Sequence, residues 1–323
     1  MDDPNTILQE VTPCLAEWNI KPHSICLASH SENIVYKVTA EDESTYALRV
    51  HRPGYHSLAE LNAEQVWTQA LSEFGLQVPV AYPTSRGEFY VAAKCGGVVR
   101  QVALIGWLEG QPLADFLYHE GKPIKEIPLE MISQVGVTCA QLHNHTSGWQ
   151  PPAGFTRHSL NVEGLLGADP FWGRFWEVSS LTATQRRTIK GLRNRAIERL
   201  TDYGELPKTY SMIHADLHEG NLFVTNDGLV VIDFDDAGFG WHQYDLAVAL
   251  FSHSDRPDFD AIEYALIEGY RTQRSLSDED ASLLTLFTLI RNLALIGWAN
   301  ARPELERDEY LRFLIDKACR TKI

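Results

Sequence analysis

The stretch Ile213–Asp236 constrains this chain more than any other. It runs Ile-His-Ala-Asp-Leu-His-Glu-Gly-Asn-Leu-Phe-Val, turns at Asn226-Asp227-Gly228, and returns along Leu229–Ile232 to deliver Asp233-Phe234-Asp235-Asp236. Two hydrophobic runs joined by an Asp-Gly turn predict a hairpin, which would bring Asp233 back towards Asn221. The pattern His-x-Asp-x-x-x-x-Asn followed by an Asp at a strand exit supplies what phosphoryl transfer needs. One carboxylate, Asp216, meets a hydroxyl proton, and two hard oxygen donors, Asn221 and Asp233, hold Mg2+ against phosphates. Asp and Asn are common in turns, so it is the coincidence of His214, Asp216, Asn221 and Asp233 around one hairpin that carries the reading.

The texture on either side predicts two regions. Asn33–Thr39 and Thr45–Val50 alternate and are β-branched, with the acidic turn Glu41–Ser44 between them; Ser57–Phe74 has helical periodicity; Glu88–Ala93 and Val98–Ile105 are further strands. Beyond Gly106 helical patterns dominate, at Met131–His143, Thr182–Tyr203, Asp258–Thr272 and Asp278–Asn300. The expected fold is α+β, with a small β-rich N-terminal lobe carrying one helix (residues 1–105) and a larger, mostly helical lobe (residues 106–323).

At 323 residues the chain can build two cores. Its net charge of −15 disfavours a nucleic-acid partner. Five cysteines without a Cys-x-x-Cys pair argue against a disulfide framework or structural zinc. The acidic N-terminus resembles no signal peptide, and no uninterrupted apolar run reaches the length of a membrane span, so a cytoplasmic protein without a membrane partner is expected. No Gly-x-x-x-x-Gly-Lys-Ser/Thr is present, which argues against the P-loop fold, and no Gly-x-Ser-x-Gly elbow supports a hydrolase.

The His214–Asn221 loop and the Asp233 segment together resemble the aminoglycoside phosphotransferase and choline kinase superfamily, which shares its fold with protein kinases. Ile232–Gly240 and Leu165–Trp176 are most similar to the branch that includes homoserine kinase type II and the stress-response Ser/Thr kinases. The resemblance implies an ATP- and Mg2+-dependent kinase, with Asp216 as catalytic base, Asn221 and Asp233 as metal ligands, His214 as a loop support and Asp245 as a helix cap. It also implies a third-strand cation for the α/β-phosphates, here Arg49 where a lysine is usual, held by a helix carboxylate; Glu64 or Glu60 stands at the right helical spacing. Ser31, in Ser29–Asn33, would take the place of a glycine-rich phosphate loop, and backbone groups near Gly106 and Leu108 would meet adenine. The expected acceptor is a small-molecule hydroxyl such as that of homoserine, an amino alcohol or an aminoglycoside-like compound, with Asp235, Asp236 and Asp278–Asp280 as candidates to face an amine. A Ser/Thr protein kinase is the alternative, disfavoured by the short run from Asp233 to Tyr244; a non-catalytic nucleotide-binding module is a third reading, opposed by the retained Asp216, Asn221 and Asp233. Trp172 and Trp176 are read as core residues that could also line a substrate pocket, and His143 and His145 as structural.

Overall fold

The computed structural model describes residues 3–303 and 307–323. The chain divides into two compact units, each with its own core. The first comprises residues 1–111 together with 151–156 and 225–235; the second comprises 112–150, 157–224 and 236–323.

In the first unit a six-stranded antiparallel sheet forms from β1 (Pro22–His30), β2 (Ile34–Ala40), β3 (Thr45–Val50), β4 (Ala81–Tyr82), β5 (Tyr90–Cys95) and β6 (Val98–Gly106), in the order β1-β2-β3-β6-β4 with β5 also on β6. Strand β2 shows why these residues form a sheet. Ile34, Tyr36, Val38 and Ala40 are all buried while the residues between them are half-exposed, the period of two that places alternate side chains on one face. Helix α2 (Leu58–Glu73) starts at a capping box, in which Ser57 caps the Glu60 amide and Glu60 returns to the Ser57 amide. One expectation needs correcting: the unit carries a second helix, α1 (Pro4–Val11), capped by Asp3 and docked through Ile7 and Val11 into the same core as β2 and β3. The distant segment 225–235 belongs here because it bonds here. The Val231 amide donates to Gln77 O at 3.2 Å, and Phe234 packs edge-on against Trp67.

The second unit is built on α3 (Leu129–Gly148), α4 (Ala183–Tyr203), α5 (His242–Phe251), α6 (Phe259–Arg271), α7 (Leu284–Asn300) and α8 (Asp308–Arg320). A short sheet accompanies them, in the order β7 (Ser159–Leu160), β9 (Gly238–Trp241), β8 (Tyr210–Ile213). The expected tryptophan pair settles into packing: Trp172 and Trp176 are both buried in the core, and Arg193 stacks over Trp176. By length and hydropathy Asp278–Asn300 qualifies as a membrane span, contrary to the expectation that no segment does, but 67% of its most apolar window is buried inside the structure, as in a core helix.

Helices α3 and α6 approach closely through a reciprocal glycine pair. A Cβ on Gly136 would lie 2.1 Å from Leu266 O, and one on Gly269 would lie 2.0 Å from Ser133 O. Gly269→Ala is therefore expected to destabilise by roughly 1–3 kcal/mol, because backbone rather than a movable side chain must give way. Gly148→Ala, whose Cβ would meet nothing within 4 Å, is expected to be neutral or mildly stabilising. Urea midpoints of the two variants check this, and equal midpoints would contradict it.

Candidate active site

In the first unit the central feature is Arg49 on β3. It is buried, and its guanidinium reaches three carboxylates: Asp233 Oδ1 at 2.5 Å, Asp235 Oδ1 at 3.3 Å and Glu64 Oε1 at 3.4 Å. Burial alone would disfavour its charge, but the three acids more than compensate and keep it protonated. The ambiguity between two helix acids is resolved by geometry. Glu64 is buried against Arg49, whereas Glu60 is spent on the capping box at Ser57, 2.9 Å from its amide.

Asp233 sits at φ 61°, in the left-handed region that a non-glycine residue seldom occupies. The turn that leads to it is fixed by Thr225, whose hydroxyl donates to Gly228 O and accepts from the Asp227 amide. With Oδ1 on Arg49, its Oδ2 accepts no hydrogen bond among the described residues, and the side chain is 43% exposed. Asp235, a candidate for a substrate amine, has a different place. It is buried, accepts from Asn33 Nδ2 at 2.9 Å and faces Arg49 and His51. Burial would raise its pKa, but Arg49 and His51 hold it well below the usual carboxylate range.

Ser31 lies exposed in the tight β1–β2 connection, its amide donating to Asn33 O. Asn33 is buried and occupied, accepting from the Arg52 amide while donating to Asp235. Gly106 closes β6, its N–H given to Val80 O at 3.2 Å, whereas the Leu108 backbone makes no backbone hydrogen bond among the described residues. Beside it, Lys37 stacks over Trp107 and pairs with Glu109.

In the second unit the His214–Asn221 loop is hung from Asp245 in the first turn of α5. Asp245 accepts from the His214 amide at 3.0 Å and the Ala215 amide at 2.6 Å, and its Oδ2 lies 3.1 Å from His143 Nε2. Burial pushes its pKa up to about 6. Asp245 is not the helix cap expected, since that position falls to Trp241; it anchors the loop through these backbone bonds instead, with Ala215 at φ 67°. Burial keeps His143 neutral, stacked on His242 and bonded to Tyr270, which makes it structural as expected.

Asp216 receives Asn221 Nδ2 at 3.1 Å on Oδ2 and pairs through Oδ1 with Arg291 of α7; His218 Nε2 stands 3.5 Å from Oδ2. Burial would raise the Asp216 pKa, but the charges of Arg291 and His218 drive it below the ordinary range. His218 is moved the other way: burial works against its proton, but Asp216 outweighs it and raises its pKa. Asn221 donates both to Asp216 O and to Oδ2, and its Oδ1 accepts nothing among the described residues. Motif reading missed Arg291. Its signal is a lone arginine inside the apolar run Leu284–Ala299, where a buried charge requires a partner. Of the other acids proposed to face an amine, Asp280 accepts from Tyr203 and caps its helix with Ser277, and Asp278 pairs with Arg271.

An α+β chain with an anchored Asp–Asn loop and a strand arginine tied to a helix glutamate has a protein-kinase-like fold, and comparison with solved structures agrees. The chain superposes on a microcompartment-associated aminopropanol kinase with a TM-score of 0.84 at 29% identity, covering 97% of this chain and 95% of that one. It superposes on an amicoumacin kinase, solved with AMP-PNP, Ca2+ and amicoumacin, with a TM-score of 0.78 at 18% identity, covering 96% and 92%. Residues 26–281 match the phosphotransferase enzyme family, and the chain belongs to that family. Among its sequence relatives is a homoserine kinase of Rhizobium rhizogenes, 30% identical over 236 residues, which are 70% of this chain and 64% of that protein. The chain spans less than two thirds of the length of the homoserine kinases it matches.

Proposed function

We propose that this protein is an ATP-dependent kinase that transfers the γ-phosphoryl group to a hydroxyl of a small, amine-bearing molecule. The observation that carries the reading is Asp216, a carboxylate kept ionised by Arg291 and His218 and oriented by Asn221. Its low basicity suits the reaction. Phosphoryl transfer through a loose transition state needs the acceptor hydroxyl positioned more than deprotonated early. Asp216 accepts the hydroxyl hydrogen bond, orients the oxygen, and takes the proton as the new P–O bond forms.

Arg49, fixed by Glu64, meets the α/β-phosphates; the Leu108 backbone meets adenine, with Gly106 ending the strand before it; Ser31 covers phosphate. For the metal, the donor chemistry fits. Asn221 Oδ1 and Asp233 Oδ2 are hard oxygens that accept no other bond among the described residues. These two residues would hold Mg2+, which when bound neutralises charge on the transferring phosphate. The free thiols of Cys14, Cys26, Cys139 and Cys319 support a cytoplasmic setting.

A small acceptor is favoured over a protein one because Asp236 leads at once into β9 and α5, leaving no long loop on which a peptide could dock. The aminopropanol kinase and the homoserine kinases among the similar proteins are named for amine-bearing alcohols, which supports the same class. The test is ATP consumption across a panel of amino alcohols, hydroxy amino acids, sugars and a generic protein substrate. Turnover is expected with an amine-bearing alcohol, and turnover with the protein alone would overturn the proposal.

Arg291→Gln removes the main charge holding Asp216 ionised. Since the native pKa is depressed, activity is expected to persist into acid until pH falls through that lowered value. In Arg291→Gln the acid limb of kcat/KM is expected to move to higher pH. A pH–rate profile checks this, and an unmoved limb would contradict the role given to Arg291.

A further inference from the structure

The second unit contains a cavity of about 320 Å³ between α6, α7 and α8, and the proposed chemistry uses none of its lining residues. That volume lies at the lower end of small-ligand sites. Three of its polar groups stand without partners among the described residues. Glu263 on α6 is half-buried and makes no ion pair or hydrogen bond; Arg320, in the last turn of α8, also makes none but is exposed to solvent. Asn292 on α7 is 1% exposed, and its Nδ2 is committed to Leu314 O, which fixes the amide orientation. Its buried Oδ1 receives no hydrogen bond. An orphaned buried acceptor costs about 1–3 kcal/mol.

The remaining charged groups do not compete for a ligand. Lys317 is neutralised by Asp255 at 2.5 Å and donates to Ser254 at 2.7 Å. The cavity therefore offers one unpaired carboxylate, one unpaired guanidinium and one unmet acceptor. A simple anion would leave the half-buried Glu263 unmatched, and a simple cation would leave Arg320 matched by solvent alone. We infer that this cavity is a binding site for a small zwitterion of the α-amino acid class, its ammonium on Glu263, its carboxylate on Arg320 and a donor group on Asn292 Oδ1. Burial raises the Glu263 pKa, as expected for a carboxylate in want of a cation. No lining side chain bonds Asp216 among the described residues, although Thr288 lies one turn before Arg291 on α7, and the variants below separate this site from the acceptor site proposed above.

The test uses the full chain and the common α-amino acids. Thermal melts are screened first, and any amino acid that raises the melting temperature is titrated by calorimetry against wild type, Glu263→Gln, Arg320→Met and Asp216→Ala. At least one amino acid is expected to bind wild type and Asp216→Ala alike, and to bind at least about tenfold more weakly to both Glu263→Gln and Arg320→Met. Those two variants are expected to keep wild-type ATP turnover in the absence of amino acid. The inference is overturned if no amino acid binds, or if binding keeps wild-type strength in either of them. An amino acid seated at the acceptor site instead would keep its affinity in both, so failure here leaves the proposed activity untouched.

Discussion

Asp216→Ala is expected to lower kcat by roughly 10²–10⁴-fold while leaving the KM for ATP near its wild-type value. The loss falls on kcat because the carboxylate engages the acceptor hydroxyl, and the nucleotide contacts assigned to Arg49 and Leu108 do not involve it. The fold should tolerate the change unevenly. Removing Asp216 leaves Arg291, itself 7% exposed, without its carboxylate, and a stranded buried charge costs several kcal/mol. Asp216→Asn keeps a hydrogen-bond acceptor for Arg291 and so separates lost chemistry from lost stability. If Asp216→Asn melts near wild type and is still inactive, the chemical role is isolated. Steady-state kinetics beside melting curves give both readings.

Asp233→Asn carries the second large effect. It removes one of the two proposed metal ligands, and with it a share of the transition-state charge stabilisation, about 3 kcal/mol or more than a hundredfold in kcat/KM. Arg49 would still face Asp235 and Glu64, so the buried cation keeps two counter-charges and the unit should fold. Arg49→Met is the opposite case. It strands the buried acids Glu64 and Asp235, for which about 3–5 kcal/mol of stability is at stake. Raising the Mg2+ concentration should partly rescue Asp233→Asn and leave Arg49→Met unaffected. Activity titrated with metal for both variants provides the check.

The candidate site was legible where its residues are close in sequence. Asp216, Asn221 and Asp233 fall within eighteen residues, and the turn and strand that carry them follow from local chemistry. Strand β3 and helix α2 were legible for the same reason, through alternation in one and periodicity with a cap in the other. Spacing leaves Glu64 and Glu60 equivalent, yet the Ser57-x-x-Glu60 box was already a reason to set Glu60 aside, since a capping carboxylate is spent on the backbone. Arg291 was hidden because its partner is 75 residues away. Nothing local says which carboxylate a lone buried arginine will find; it says only that one must exist. Asp235 was read by its charge alone, as an acid that could face an amine; the partners that bury it, Arg49 and His51, lie far away in the sequence. The N-terminal helix is short, and its two anchoring residues, Ile7 and Val11, make a weak pattern until the sheet that receives them is known.

The central claim is that Asp216 directs the γ-phosphoryl group of ATP onto a small-molecule hydroxyl. Its most direct test is 31P NMR of the reaction of ATP and Mg2+ with an amine-bearing alcohol, using wild type and Asp216→Asn at equal concentration. The account predicts a new phosphomonoester resonance with wild type, matched by ADP formed, and none with Asp216→Asn over the same time. A phosphomonoester formed equally by both proteins would contradict it.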